Sequence, residues 1–178
     1  MKIFLTGFMG SGKSSIGKIL ASELSFGFID MDDMIEKKAG KTISEIFNLS
    51  GESEFRKIEK EILNQIININ DDIVVATGGG TPCFFENMET MNHYGTTFYL
   101  KLAPGLLLKR IKSETEKRPL ILRGEKPLSI IRKMLAERKK YYESSNYTLL
   151  INEDETEKDI CKKLQIIIKK LKDHAENI

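Results

Sequence analysis

Eight residues near the start of the chain have the types and the spacing to hold a chain of phosphates. They are Gly7-Phe8-Met9-Gly10-Ser11-Gly12-Lys13-Ser14, which follow the apolar run Lys2–Thr6. The spacing is Gly, any four residues, then Gly-Lys-Ser/Thr, after a strand-like run and before a helical pattern, which is the context the motif needs. Glycines let the backbone curl so that successive N–H groups point inward, and the next helix adds the positive end of its dipole. Gly10, Ser11, Gly12, Lys13, Ser14 and Ser15 are therefore the nucleotide-binding candidates. Lys13 has the reach for the β- and γ-phosphates, and the Ser14 hydroxyl suits Mg²⁺. The plainer alternative, a glycine-rich turn that matches by accident, does not account for that context.

Other stretches carry groups suited to the same chemistry. Asp30-Met31-Asp32-Asp33 closes a short strand-like run. Carboxylates there can hold Mg²⁺, directly or through water, and can accept a proton from an attacking hydroxyl. The competing reading is a set of acids that favours the dipole of a helix N-terminus. We assign that plainer role to Asp33 and the functional one to Asp30 and Asp32. Gly78-Gly79-Gly80 ends an apolar run abruptly, and three glycines are entropically costly for a simple turn. They suit backbone that must approach a ligand closely, although a flexible tight turn is the open alternative. Only six of the basic residues are arginine: Arg56, Arg110, Arg118, Arg123, Arg132 and Arg138. A guanidinium fork fits carboxylates and phosphates in a way that an ammonium does not. For Arg56 and Arg138, an ion pair on a helix surface is the ordinary alternative. Cys83 and Cys161 lack metal-ligand spacing and read as small, partly buried thiols.

The elements that must position these groups alternate between strand and helix patterns, as in a parallel α/β sheet. Strand patterns fall at 2–6, 26–30, 73–77, 97–102 and 147–151. Helical patterns fall at 13–24, from 32 to a stop at Gly40, from Thr42 with Glu45 as a capping box, and at 52–68, 84–92, 104–112, 127–144 and 155–174. Residues 113–126 are charged, contain Pro119 and Gly124 and show no period, so they read as a mobile loop. In an open parallel sheet, ligands bind beyond the carboxyl ends of the strands. That rule gathers 7–14, 30–33 and 78–80 in one place.

Composition narrows the function classes. At 178 residues the chain suits one domain with a real core. A net charge of +2 argues against a dedicated nucleic-acid binder. No apolar run approaches the roughly 20 residues of a membrane span, and the start does not resemble a signal peptide, so the expectation is a cytoplasmic protein. Small size and the lack of an apolar exposed stripe point to a monomer.

Taken in order, the motifs resemble those of the shikimate kinases, small P-loop kinases of aromatic amino-acid biosynthesis. The matching segments are GFMGSGKSS at 7–15, FIDMDDMIE at 28–36, ISEIF at 43–47, GESEFRKIE at 51–59, TGGG at 77–80, RPL at 118–120 and the helix that contains Arg138. Each is weak alone, and the ordered set is specific.

The resemblance implies a single α/β domain with a five-stranded parallel sheet in the order 2-3-1-4-5, flanked by helices and covered by a lid at about 113–124. It implies transfer of a phosphoryl group from ATP to the 3-hydroxyl of shikimate, with one Mg²⁺. By resemblance, Lys13 and Ser14 serve ATP and Mg²⁺, with Asp30 near the metal through water. Asp32 bonds the shikimate hydroxyls and acts as the base, while Arg56 and Arg138 grip the carboxylate. Gly78, Gly79 and Gly80 line that pocket, Arg118 closes over the transferring phosphate and Arg110 flanks adenine. Arg123 and Arg132 have no role in this scheme.

One stretch departs from the family pattern. Where an Arg- and Pro-containing adenine loop is usual, this chain has Asn152-Glu153-Asp154-Glu155-Thr156. Two alternatives stay open on the residues alone. One is a P-loop kinase for another small acceptor, such as gluconate or a nucleoside monophosphate. The other is a nucleotide-dependent switch, which would need an Asn-Lys-x-Asp motif that the sequence lacks.

Overall fold

The computed structural model describes residues 1–113 and 126–175. Its centre is an all-parallel sheet of β1 (Lys2–Thr6), β2 (Gly27–Asp30), β3 (Ile73–Ala76), β4 (Thr96–Leu102) and β5 (Tyr147–Ile151). The order across the sheet is β2-β3-β1-β4-β5, as the sequence predicts. Seven helices among the described residues connect and cover the strands. They are α1 (Lys13–Leu24), α2 (Met31–Ala39), α3 (Ile43–Ile67), α4 (Asn87–Tyr94), α5 (Pro104–Ser113), α6 (Pro127–Tyr142) and α7 (Glu157–Ala175).

Side chains alternate across the strands and divide the core into two layers. Ile3 and Leu5 of β1 face one side, with Val74, Ile16, Leu20, Leu107 and Leu164. Phe4 faces the other, with Ile73, Val75, Ile35, Phe55, Ile62 and Met91. The central strands β1 and β3 are almost wholly buried, which explains their unbroken apolar runs.

Two features of the connections place the site. The α3 segment is broken at Gly51, whose φ of 78° and ψ of 173° lie outside helical space. The predicted pair of helices, one opening at Thr42 and one from 52, is thus realised with almost no loop between them. Thr42 and Glu45 form the expected capping box. The second feature departs from expectation. The helix predicted over 84–92 begins only at Asn87, and Thr81–Cys83 form a 3-10 turn instead. Phe85 and Glu86 adopt left-handed φ values of 49° and 58°, so no helix can run through them. The remaining boundaries differ from the predicted ones by a residue or two.

Candidate active site

Strand register brings the functional loops level with one another. Leu5 and Asp30 both pair with Ala76, so β1, β2 and β3 end side by side. Thr77 fastens this edge, donating from its backbone N–H (3.1 Å) and from its hydroxyl (2.9 Å) to the Leu5 carbonyl. The loop of 7–12, the start of α2 and the triple glycine therefore lie side by side.

The phosphate loop has the predicted form. Gly7, Gly10 and Gly12 have positive φ values, and Gly12 caps the N-terminus of α1. Lys13 is 8% exposed and donates to the carbonyls of Gly7 (2.9 Å) and Phe8 (3.1 Å), lying back along its own loop. Ser11 Oγ is buried with no hydrogen-bond partner among the described residues, and the Ser11 N–H donates to the Phe8 carbonyl at 3.1 Å. Ser15 donates to the Gly12 carbonyl. Arg110, on α5, reaches across to the Ser11 carbonyl at 3.4 Å, which sets it against the rim of the loop.

Ser14 Oγ donates to Asp30 Oδ2 at 2.6 Å, and the other oxygen of Asp30 caps α2 by accepting from the Asp32 N–H. A hydroxyl and a carboxylate side by side, next to the phosphate loop, are hard oxygen donors of the kind Mg²⁺ takes. Among the described residues there is no group of three or more His, Cys, Asp or Glu side chains that could hold a metal alone. Asp32 and Asp33 are both exposed in the first turn of α2.

The triple glycine lies among several of the predicted site residues. A Cβ at Gly78 would stand 3.1 Å from Asp32 Oδ1 and 3.0 Å from Glu59 Oε1. One at Gly79 would stand 3.2 Å from the Met9 nitrogen in the phosphate loop. One at Gly80 would stand 2.5 Å from Arg56 Nη2. The Gly79 carbonyl accepts from Arg138 Nη1 at 3.2 Å. Three consecutive residues thus touch Asp32, the phosphate loop, Arg56 and Arg138, and the close approaches explain why none carries a side chain.

Arg56 resolves the other ambiguity in an unexpected way. It does form helix ion pairs, with Glu52 (3.0 Å) and Glu59 (2.9 Å), but it is only 7% exposed. Its guanidinium also lies over the rings of Phe84 (4.1 Å) and Phe55 (4.9 Å). Glu59 is fully buried and accepts a second bond, from Thr81 Oγ1 at 2.5 Å. Arg138 is half-buried above the Phe8 ring, at 5.5 Å. Arg118, Arg123 and most of the predicted lid lie outside the described residues. Arg132 is exposed.

The comparisons with known proteins bear on this geometry. The family model described as shikimate kinase matches residues 9–169. The chain belongs to the shikimate kinase family. A shikimate kinase of Bacteroides fragilis is 41% identical over 177 residues, 98% of either chain. The crystal structure of shikimate kinase from Bacteroides thetaiotaomicron superposes with a TM-score of 0.88 at 35% identity, covering 95% of this chain and 98% of that one. The shikimate kinase of Acinetobacter baumannii, solved in complex with shikimate, gives a TM-score of 0.85 at 34% identity over 95% of this chain and 93% of that one. The fold is thus that of the shikimate kinases, with the P-loop and the five-stranded order intact. No helix among the described residues is long and apolar enough to cross a membrane.

Sequence reasoning overlooked four residues of this site. Glu52 and Glu59 stand four before and three after Arg56, on one helix face, and Tyr142 stands four after Arg138. Those spacings are visible in the sequence. Phe84 could not be found that way, because the left-handed backbone after it decides where its ring lies.

Proposed function

We propose that the chain transfers the γ-phosphoryl group of ATP to the 3-hydroxyl of shikimate, giving shikimate 3-phosphate and ADP, with the roles divided as follows. The observation that carries the residue assignment is the triple glycine, because it joins Asp32, Arg56 and Arg138 to the wall of the phosphate loop. The backbone of Gly10–Gly12 with Lys13, Ser14 and Ser15 holds the phosphates, and Arg110 lies on the nucleotide side. Ser14 and, through water, Asp30 would hold one Mg²⁺. That ion, when bound, neutralises phosphate charge.

On the acceptor side, Arg56 and Arg138 take the carboxylate of shikimate, with Gly78–Gly80 lining the pocket. Asp32 accepts a hydrogen bond from the reacting hydroxyl and takes its proton as the oxygen attacks phosphorus. It is exposed in the first turn of α2, where a substrate hydroxyl can reach it. Lys13 leaves the Gly7 and Phe8 carbonyls for the phosphate oxygens, where its charge offsets what develops on the transferring group. Arg118, on a lid of about 113–124 within one domain of 1–178, adds to that charge and helps exclude water. The protein works as a monomer in the cytoplasm, with no nucleic-acid or membrane partner.

An ADP-release assay with and without shikimate, and with gluconate or a nucleoside monophosphate in its place, tests the reading. Turnover is expected only with shikimate. ADP release that ignores shikimate favours a nucleotide switch and overturns the assignment. Arg138→Lys separates the acceptor side from the nucleotide side, because a point charge cannot replace a fork. Shikimate KM is expected to rise with ATP KM unchanged, and equal losses mean a structural role.

A further inference from the structure

The carbonyl of Gly79 has a second partner. Tyr142 Oη donates to it at 2.5 Å, a shorter contact than the 3.2 Å from Arg138 Nη1. Both donors lie on α6, four residues apart and therefore on one helix face. The Tyr142 ring is fully buried and stacks on Tyr99 at 5.0 Å, so its hydroxyl has little freedom to turn elsewhere. Burial pushes its pKa well above the ordinary phenol value, against the opposing pull of the neighbouring Arg138, so it remains a donor at working pH.

The arrangement matters because Arg138 has two possible acceptors. Its Nη1 lies on the Gly79 carbonyl, and a turn of the guanidinium toward a carboxylate draws that nitrogen away. A half-buried carbonyl left without a donor opposes that move. With the Tyr142 hydroxyl in place, the carbonyl stays paired whichever way Arg138 turns. The same bond fixes the plane of the Gly79–Gly80 peptide, and Gly80 packs on Arg56.

We propose that Tyr142 is a positioning residue for acceptor binding: its hydroxyl keeps the Gly79 carbonyl satisfied, which frees Arg138 to bind the carboxylate of shikimate. The proposal rests on the carboxylate-gripping role given to Arg138 above. It adds a group that touches neither substrate and acts only through Gly79 and Arg138.

The test is a double-mutant cycle with steady-state kinetics. Tyr142→Phe keeps the ring and its stack and removes only the donor. Shikimate KM is expected to rise about tenfold, with kcat and ATP KM within about twofold of the parent. In an Arg138→Ala background the same substitution is expected to change shikimate KM by less than about twofold, because no guanidinium is left to release. An unchanged KM in Tyr142→Phe overturns the proposal, and so does the same rise in both backgrounds, which marks a merely structural tyrosine. If Arg138→Ala alone leaves shikimate KM unchanged, the carboxylate role itself falls. If it raises KM while Tyr142→Phe does not, only the present proposal falls. Should Tyr142→Phe unfold below the assay temperature, 3-fluorotyrosine at the same position keeps ring and hydroxyl while strengthening the donor. Shikimate KM is then expected to fall, and an unchanged or raised value overturns the proposal.

Discussion

Lys13 and Gly80 show how much depends on single residues here. Lys13 is buried against two carbonyls of its own loop, a polar contact that a phosphate can replace with a stronger, charge-assisted one. Lys13→Ala is expected to lower kcat by about 10³-fold or more while the protein stays folded, as measured by ADP release and circular dichroism. Near-normal turnover would remove the phosphate-loop assignment. Gly80 has an ordinary backbone, with φ −97° and ψ −18°, so alanine there meets no conformational strain. Its Cβ would instead meet Arg56 Nη1 at 2.8 Å and Nη2 at 2.5 Å. Arg56 is held by Glu52 and Glu59 and stacked on two rings, so the guanidinium must leave its place. Gly80→Ala is expected to raise shikimate KM about tenfold with little change in ATP KM, the loss of one charge-assisted contact. A parent-like shikimate KM would show that Arg56 does not bind the acceptor in this position.

At the scale of elements, the break in α3 decides where Arg56 points. Gly51 takes a conformation that is essentially restricted to glycine, and nothing lies within 4 Å of where a Cβ would be. Gly51→Ala therefore tests backbone strain alone. It is expected to cost about 1–3 kcal/mol of stability, read as a shift in the denaturant midpoint with unchanged slope. A midpoint equal to the parent's would mean that the two halves of α3 accept a continuous helix. The loop from Gly78 to Glu86 works in the opposite sense. Its left-handed Phe85 and Glu86 stop α4 early and leave Phe84 over Arg56, an outcome that helical periodicity at 84–92 did not foretell. Lys60 donates to the Phe85 carbonyl at 3.1 Å, so α3 itself holds this strained turn.

At the scale of the molecule, the two core layers and the strand register keep the three loops level. Phe4 is wholly buried at the centre of the layer beneath α2 and α3. Phe4→Ala is expected to cost about 3–5 kcal/mol, read from denaturant unfolding. The shikimate KM of the remaining folded protein should change little, because Phe4 lies in the apolar layer and not among the polar groups of the site. A larger effect on KM than on stability would mean that the register of β1 and β3 depends on this ring.

Much of this was legible in the sequence because its causes are local. The phosphate loop, the strand runs, the cap at Thr42 and the stop at Gly40 each follow from residue type and spacing within a few positions. The order of the motifs gave the family, and with it the sheet order. Other features depend on groups far apart in the chain. Whether Arg56 is a surface ion pair or a buried anchor depends on Phe84 and Thr81 arriving from the far end of β3. The need for three glycines became visible only when Asp32, Met9 and Arg56 were seen against them. Tyr142 gained a meaning only once α6 was packed over Gly79. Sequence alone determined that a phosphate chain is held beside a strand end, since curling a backbone around an anion is a local act. Only the tertiary structure decided how Asp32, Arg56, Gly78–Gly80 and Arg138 come together, since close packing of four distant segments fixes which side chain a carbonyl or a guanidinium meets.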